Sequence, residues 1–170
     1  MNSQKDRDSH HRETAVKCFN KTWDYLKKKD RSRTDDIEML LQAHSSLYHW
    51  NLVGTPENRV IGEWQVSRVY ADLKQPELAL LFAKSALALC EENKLIDLRV
   101  SVYEGMARAY GVGGDRKLAL EYLGKSRKEL GIAKDKEDRK VFGEQITETE
   151  RLIIETPAKD QDSLGSRSTS

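Results

Sequence analysis

Cysteine and proline are scarce in this 170-residue chain, with two and three copies, and aromatic residues make up 7% of it. Cys18 and Cys90 could form one bridge at most. Neither lies in a CxxC or zinc-ligand spacing, so a disulfide scaffold and a cysteine metal site are excluded and both read as buried thiols. Long apolar runs are missing too. The longest, Leu78 to Ala83, is far short of the ~20 residues a membrane-spanning helix needs, and the polar start from Met1 to Glu13 has no signal-peptide core. A cytoplasmic location is the simplest expectation. Charge of one sign is lacking as well. With 29 basic and 28 acidic residues the net charge is +1, which provides no field to draw nucleic acid or a membrane surface.

What is present is helical patterning. Apolar residues recur at three- and four-residue steps and almost never alternate, which predicts an all-α fold. A first helix is expected over about 13 to 29, with Ala15, Val16, Phe19, Trp23 and Leu26 on one stripe. The second is expected after Asp35-x-x-Glu38, read as a capping box with Asp35 as the cap. Thr55-Pro56-Glu57 opens a third, with threonine as N-cap and proline at the first helical position. Pro76 opens the fourth, Ile96 or Asp97 the fifth and Asp115 the sixth; the seventh runs from about 135 to 155. Residues 1–11 and 156–170 carry too little apolar surface to offset the entropy of ordering, and both are expected to be disordered tails around a body at 12–155.

A shift of 40 positions superimposes Arg68 on Arg108, Tyr70 on Tyr110, and Leu78-Ala79-Leu80 on Leu118-Ala119-Leu120. Val66 falls on Met106 and Phe82 on Tyr122. Such self-similarity marks stacked supersecondary units, here a helix, a turn and a second helix. The segment from Ile61 to Glu92 resembles a tetratricopeptide repeat: Val66-Ser67, Tyr70, Ala79, Ala83 and Ala86 stand at its packing positions, and Met106-Ala107, Tyr110, Ala119, Leu123 and Ser126 repeat them. The period is longer than the family's, which is about 34, the proline after the second helix is absent, and the first tryptophan position holds Glu63 and Tyr103.

The resemblance implies a right-handed α-solenoid of about seven antiparallel helices, and a non-enzymatic scaffold or regulator that binds a peptide or protein segment in a concave groove without a cofactor. Carrying the family's groove positions across implicates Trp64, Gln65, Arg68 and Asp72 of the third helix with Glu104 and Arg108 of the fifth. Two arginines at one height would fork an acidic side chain or free carboxylate of the partner. The alternative is local pairing, Arg68 with Asp72 and Arg108 with Glu104, as i, i+4 neighbours.

A second cluster, His44, Tyr48, His49 and Asn51, gathers polar and aromatic chemistry in eight residues. Its histidines are five apart, off a common helix face, so no metal site is expected there. A self-associating module with a possible homodimer, and an enzyme using His44, His49 and Glu63, remain as alternatives. The basic run from Lys27 to Arg33 reads as a solvated helix end. No phosphate loop or GxSxG elbow is present.

Overall fold

The computed structural model describes residues 3–132 and 136–159, and among these residues there are seven α-helices and no strand. The helices are α1 (Ser3–Lys27), α2 (Arg33–Val53), α3 (Pro56–Asp72), α4 (Pro76–Glu92), α5 (Arg99–Val112), α6 (Arg116–Ile132) and α7 (Lys136–Glu155), with a 3-10 turn at Ile96–Leu98 before α5. None of them is long and apolar enough to cross a membrane.

The starts follow their caps. Thr55 accepts from the Asn58 N–H and Pro56 begins α3 as expected. At α2 the expectation is off by one turn: Ser32 is the cap and Asp35 is the third helical residue that reaches back to it. Lys28 and the Ser32 N–H and hydroxyl hold the Asp35 carboxyl down at about 2.

The two ends depart further from expectation. Helix α1 begins at Ser3, so residues 3–11 of the segment expected to be a disordered tail are helical, and residues 1 and 2 lie outside the described residues. Side-chain bonds along it support the extension, Gln4 to Asp8 and Ser9 to Glu13, and the His11 ring meets His49 of α2 with 2.8 Å between their Nδ1 atoms. At the other end, the Lys159 N–H donates to the Gly114 carbonyl at 3.1 Å, so the residues just after α7 lie on the α5–α6 turn. The rest of the expected C-terminal tail, 160–170, lies outside the described residues.

The 40-residue period is visible in the geometry. Tyr70 stacks on Phe82 with centroids 5.7 Å apart, and Tyr110 stacks on Tyr122 at the same 5.7 Å. The α3–α4 and α5–α6 turns close on equivalent bonds, Gln75 N–H to Tyr70 and Asp115 N–H to Tyr110, at 2.9 and 3.0 Å. Each turn contains one left-handed residue, Gly114 at φ 77° and Lys74 at φ 59°. Glycine adopts that backbone without cost, whereas lysine is strained there.

Each helix packs on the next, and α1, α3, α5 and α7 also touch in succession. Helices α3 and α5 are therefore buried nearly all round, whereas α4 and α6 bury one stripe each. Ala79 and Ala119 sit at 0% exposure where the second helix of a pair meets the first. We expect Ala79→Leu and Ala119→Leu each to overpack this contact and cost about 1 to 3 kcal/mol in urea denaturation; unchanged midpoints would contradict the register.

The His11–His49 contact needs at least one neutral ring to accept. Burial, then the neighbouring His11 and His10, hold His49 below its ordinary value. The folded state thus favours the neutral ring: its contribution is full above the ordinary value of about 6.5 and is lost as pH falls through the lower folded one. Amide protection over residues 4–11 should drop between about pH 7.5 and about pH 5, and His49→Gln should flatten that dependence; protection equal at both values would show that the ring pair does not hold the α1 extension.

Candidate functional site

Arg68 and Arg108 occupy the same position of α3 and α5, and one turn earlier Trp64 and Glu104 are likewise equivalent. In the folded chain the four converge. Glu104, 1% exposed, accepts from Trp64 Nε1 at 3.1 Å and from Arg108 Nε at 2.8 Å, with Arg68 Nη1 3.6 Å away. Gly105 makes this possible, because a Cβ there would come within 2.9 Å of the Trp64 ring. Trp23 of α1 lies under Arg68, 5.1 Å from the guanidinium carbon to the ring centroid, a cation–π contact in a largely dry setting.

Helix α7 completes the cluster. Thr149 donates its hydroxyl to Glu104, and Glu148 accepts from Arg68 Nη2 at 2.6 Å and from Arg108 Nη1 at 3.4 Å. Burial pushes the Glu104 carboxyl up, but the Arg108 and Arg68 guanidiniums and the bonds from Thr149 and Arg108 outweigh it, and the group lies below its ordinary value. Arg68 is shifted down by burial and by Arg108, against the pull of Glu104 and Glu148; a guanidinium stays charged nonetheless. Two buried cations thus face one buried and one half-exposed carboxylate.

Above this cluster lies a groove of about 780 Å³. Phe19, Trp23, Leu26 and Lys27 of α1 form one wall; Val141, Phe142, Glu144, Gln145 and Glu148 of α7 form the other. Ile61, Trp64, Arg68 and Asp72 of α3 and Ser101 of α5 make the floor. The lining is apolar and aromatic at the Ile61 and Phe142 end and charged at the Asp72 and Glu148 end.

Of the residues expected to bind a ligand, Trp64, Arg68 and Asp72 reach this groove. Glu104 and Arg108 lie beneath it, and Gln65, 0% exposed, donates to the Phe19 carbonyl at 3.0 Å. The expected Arg68–Asp72 pair does not form: Asp72 binds Arg31, which also donates to Asp36 at 2.7 Å, so part of the basic run at 27–33 ties the α1–α2 turn to the end of α3. The Arg108–Glu104 pair does form.

The second cluster is dispersed. His44 Nε2 meets the Tyr70 hydroxyl at 2.9 Å, His49 faces α1, and Tyr48 and Asn51 are exposed. Glu63 lies by Ser85 and Arg59, its carboxyl raised chiefly by burial. Among the described residues no three His, Cys, Asp or Glu side chains form a group suited to a metal ion.

Glu148, Thr149 and the α7 wall were not among the expected site residues, although the period contained the signal. Carried one step further, it aligns Arg68 and Arg108 with Glu148, and Val66 and Met106 with Ile146. The wall residues Phe19 and Trp23 enter the sequence reading only as members of the first helix's apolar stripe.

Replacing Glu104 by glutamine leaves two buried guanidiniums with Glu148 alone. We expect Glu104→Gln to cost about 3 to 5 kcal/mol in urea denaturation. The wild-type contribution of this carboxyl is present above its unfolded value of about 4.3 and is lost as pH falls through the lower folded one, so the variant should lack that part of the acid limb. A loss below about 1 kcal/mol would mean that the cluster is not stabilising.

No family model, no curated protein and no solved structure matches this chain.

Proposed function

We propose that the chain is a non-enzymatic binding module of tetratricopeptide type, a right-handed α-solenoid of three helix pairs closed by α7, which takes a segment of another protein in the groove between α1 and α7. The observation that carries this reading is the groove itself: about 780 Å³, lined by the first helix of every pair, with Phe19, Trp23, Ile61 and Phe142 at its apolar end. Concave, mostly apolar clefts with a few polar groups are the usual form of a recognition site. The equivalent stacked pairs Tyr70–Phe82 and Tyr110–Tyr122 support the repeat.

The chemistry of the partner follows from the charges. Arg68 and Arg108 meet their carboxylates inside the protein, in Glu104 and Glu148, so a ligand carboxylate would have to displace Glu148 to reach them. Recognition then falls to the apolar walls, and the segment that fits carries a large aliphatic or aromatic side chain, with acidity of secondary weight.

A random peptide library displayed on phage, selected against the full chain, tests this. The selected peptides should share an aliphatic or aromatic anchor, alter the fluorescence of Trp23 and Trp64, and bind with little salt dependence, because apolar contact is not screened. Val141→Asp, on an exposed wall position, should weaken them about tenfold or more, the equivalent of ~1.4 kcal/mol. Acid-rich winners whose binding falls steeply with salt would return the site to the two arginines, and a library that yields no binder would remove the module reading.

A further inference from the structure

The outer face of α2 is unlike the rest of the surface. Glu38 is the only Asp, Glu, Lys or Arg from Ile37 to Pro56, in a chain that is 34% charged. Helix α2 packs on α1 and α3 and turns His44 toward the Tyr70 and Phe82 rings, which leaves one strip outward. On that strip Ile37, Leu41, Tyr48 and Leu52 are 49%, 55%, 61% and 51% exposed. Single exposed apolar residues are ordinary, but four in one charge-free row mark an interface.

We propose that this face is a homodimer interface in which α2 packs antiparallel on α2 of a second copy across a two-fold axis. The spacing selects the occupant. Ile37 and Leu52, and Leu41 and Tyr48, lie at equal distances either side of a point between His44 and Ser45. An isologous contact requires that kind of self-complementarity, residue i meeting j of the partner and j meeting i. A two-fold axis at that point sets Ile37 of each copy against Leu52 of the other and Leu41 against Tyr48, with Ser45 at the centre, where a small side chain lets two helices approach closely. The charge-free strip meets its own copy without repulsion. A membrane surface is disfavoured because an interfacial helix carries lysine or arginine along its polar side, and α2 holds a single one, Arg33 at its first position, with none between Ile37 and Pro56.

The contact row spans about 22 Å of helix at ~1.5 Å per residue, which places the interface toward the small end of specific ones, near about 1,200 Å² in total. The dimer is accordingly a weak one. Helix α2 lines no part of the groove between α1 and α7, so each copy keeps its groove free, and this proposal stands or falls independently of what the groove binds.

Sedimentation velocity on the full chain from ~2 to ~300 µM, a range suited to small interfaces, should show the mass rising from 19.5 kDa toward twice that value. Leu41→Glu and Tyr48→Glu should each hold the protein monomeric with an unchanged melt, since both positions are exposed. Orientation is read separately by mixing Ile37→Cys with Leu52→Cys under mild oxidation. The mixed 37–52 disulfide should outpace either like-with-like disulfide, a measurement that adds no charge and survives any misfolding of the glutamate variants. A wild type that stays at monomer mass at the top concentration, a dimer that persists in both glutamate variants, or like-with-like disulfides forming as fast as the mixed one would overturn the proposal.

Discussion

The Glu104 carboxylate is taken out of water in the middle of the helix stack, and every first helix of the fold is placed by what surrounds it. Helix α3 brings Trp64 and Arg68 to it, α5 adds Arg108 one turn along, α7 supplies Thr149, and α1 reaches it through Trp23 beneath Arg68. Burying a carboxylate is costly, and a well-packed apolar cluster would hold helices at least as tightly. A polar cluster does something that an apolar one does not: its bonds are directional, and a helix slipped by one residue would leave a charge unpaired. We regard the cluster chiefly as the element that fixes the register of α3, α5 and α7.

That arrangement also decides the character of the groove. The two guanidiniums that would otherwise give it a positive floor are met from below by Glu104 and from the side by Glu148, and only Glu148 is substantially open to water. The remaining surface is formed by rings and branched chains on α1 and α7. A groove whose arginines suggest an anion site is thus mainly apolar, because the charge is neutralised within the protein.

Much of the fold was legible in the sequence because its signals are local. Thr55-Pro56 and Pro76 punctuate helices regardless of tertiary context, and the 40-residue shift aligned Tyr70, Tyr110, Ala79 and Ala119 correctly. The site was legible only in part. Arg68 and Arg108 were identified as a pair, but what they pair with depends on α7, whose sequence keeps the period at Ile146 and Glu148 while changing residue type, so composition conceals it. The start of α1 was missed for the opposite reason. Besides the side-chain bonds within it, its support includes a contact with a residue 38 positions away, His11 with His49, and no apolar stripe on residues 3–11 announces it. Asp35 reads as a cap one turn too late because Ser32-x-x-Asp35 and Asp35-x-x-Glu38 share the capping-box spacing, and the backbone places the helix start at the first of them.

Repeat arrays are commonly treated as modular, with units added or removed at will between generic ends. The Arg68, Arg108, Glu148 series shows why this one is not. The position carries a cation, a cation and then an anion along successive first helices, so the series is closed by a change of sign. A chain cut before α7 would expose a doubly positive floor with Glu104 as its lone counter-charge, and a third arginine-bearing unit inserted ahead of α7 would bring a third buried cation without an acid to meet it. Charge balance between this row and Glu104, one turn away on the neighbouring row, therefore constrains the length of the array, and a change in the number of units would have to bring its own carboxylate.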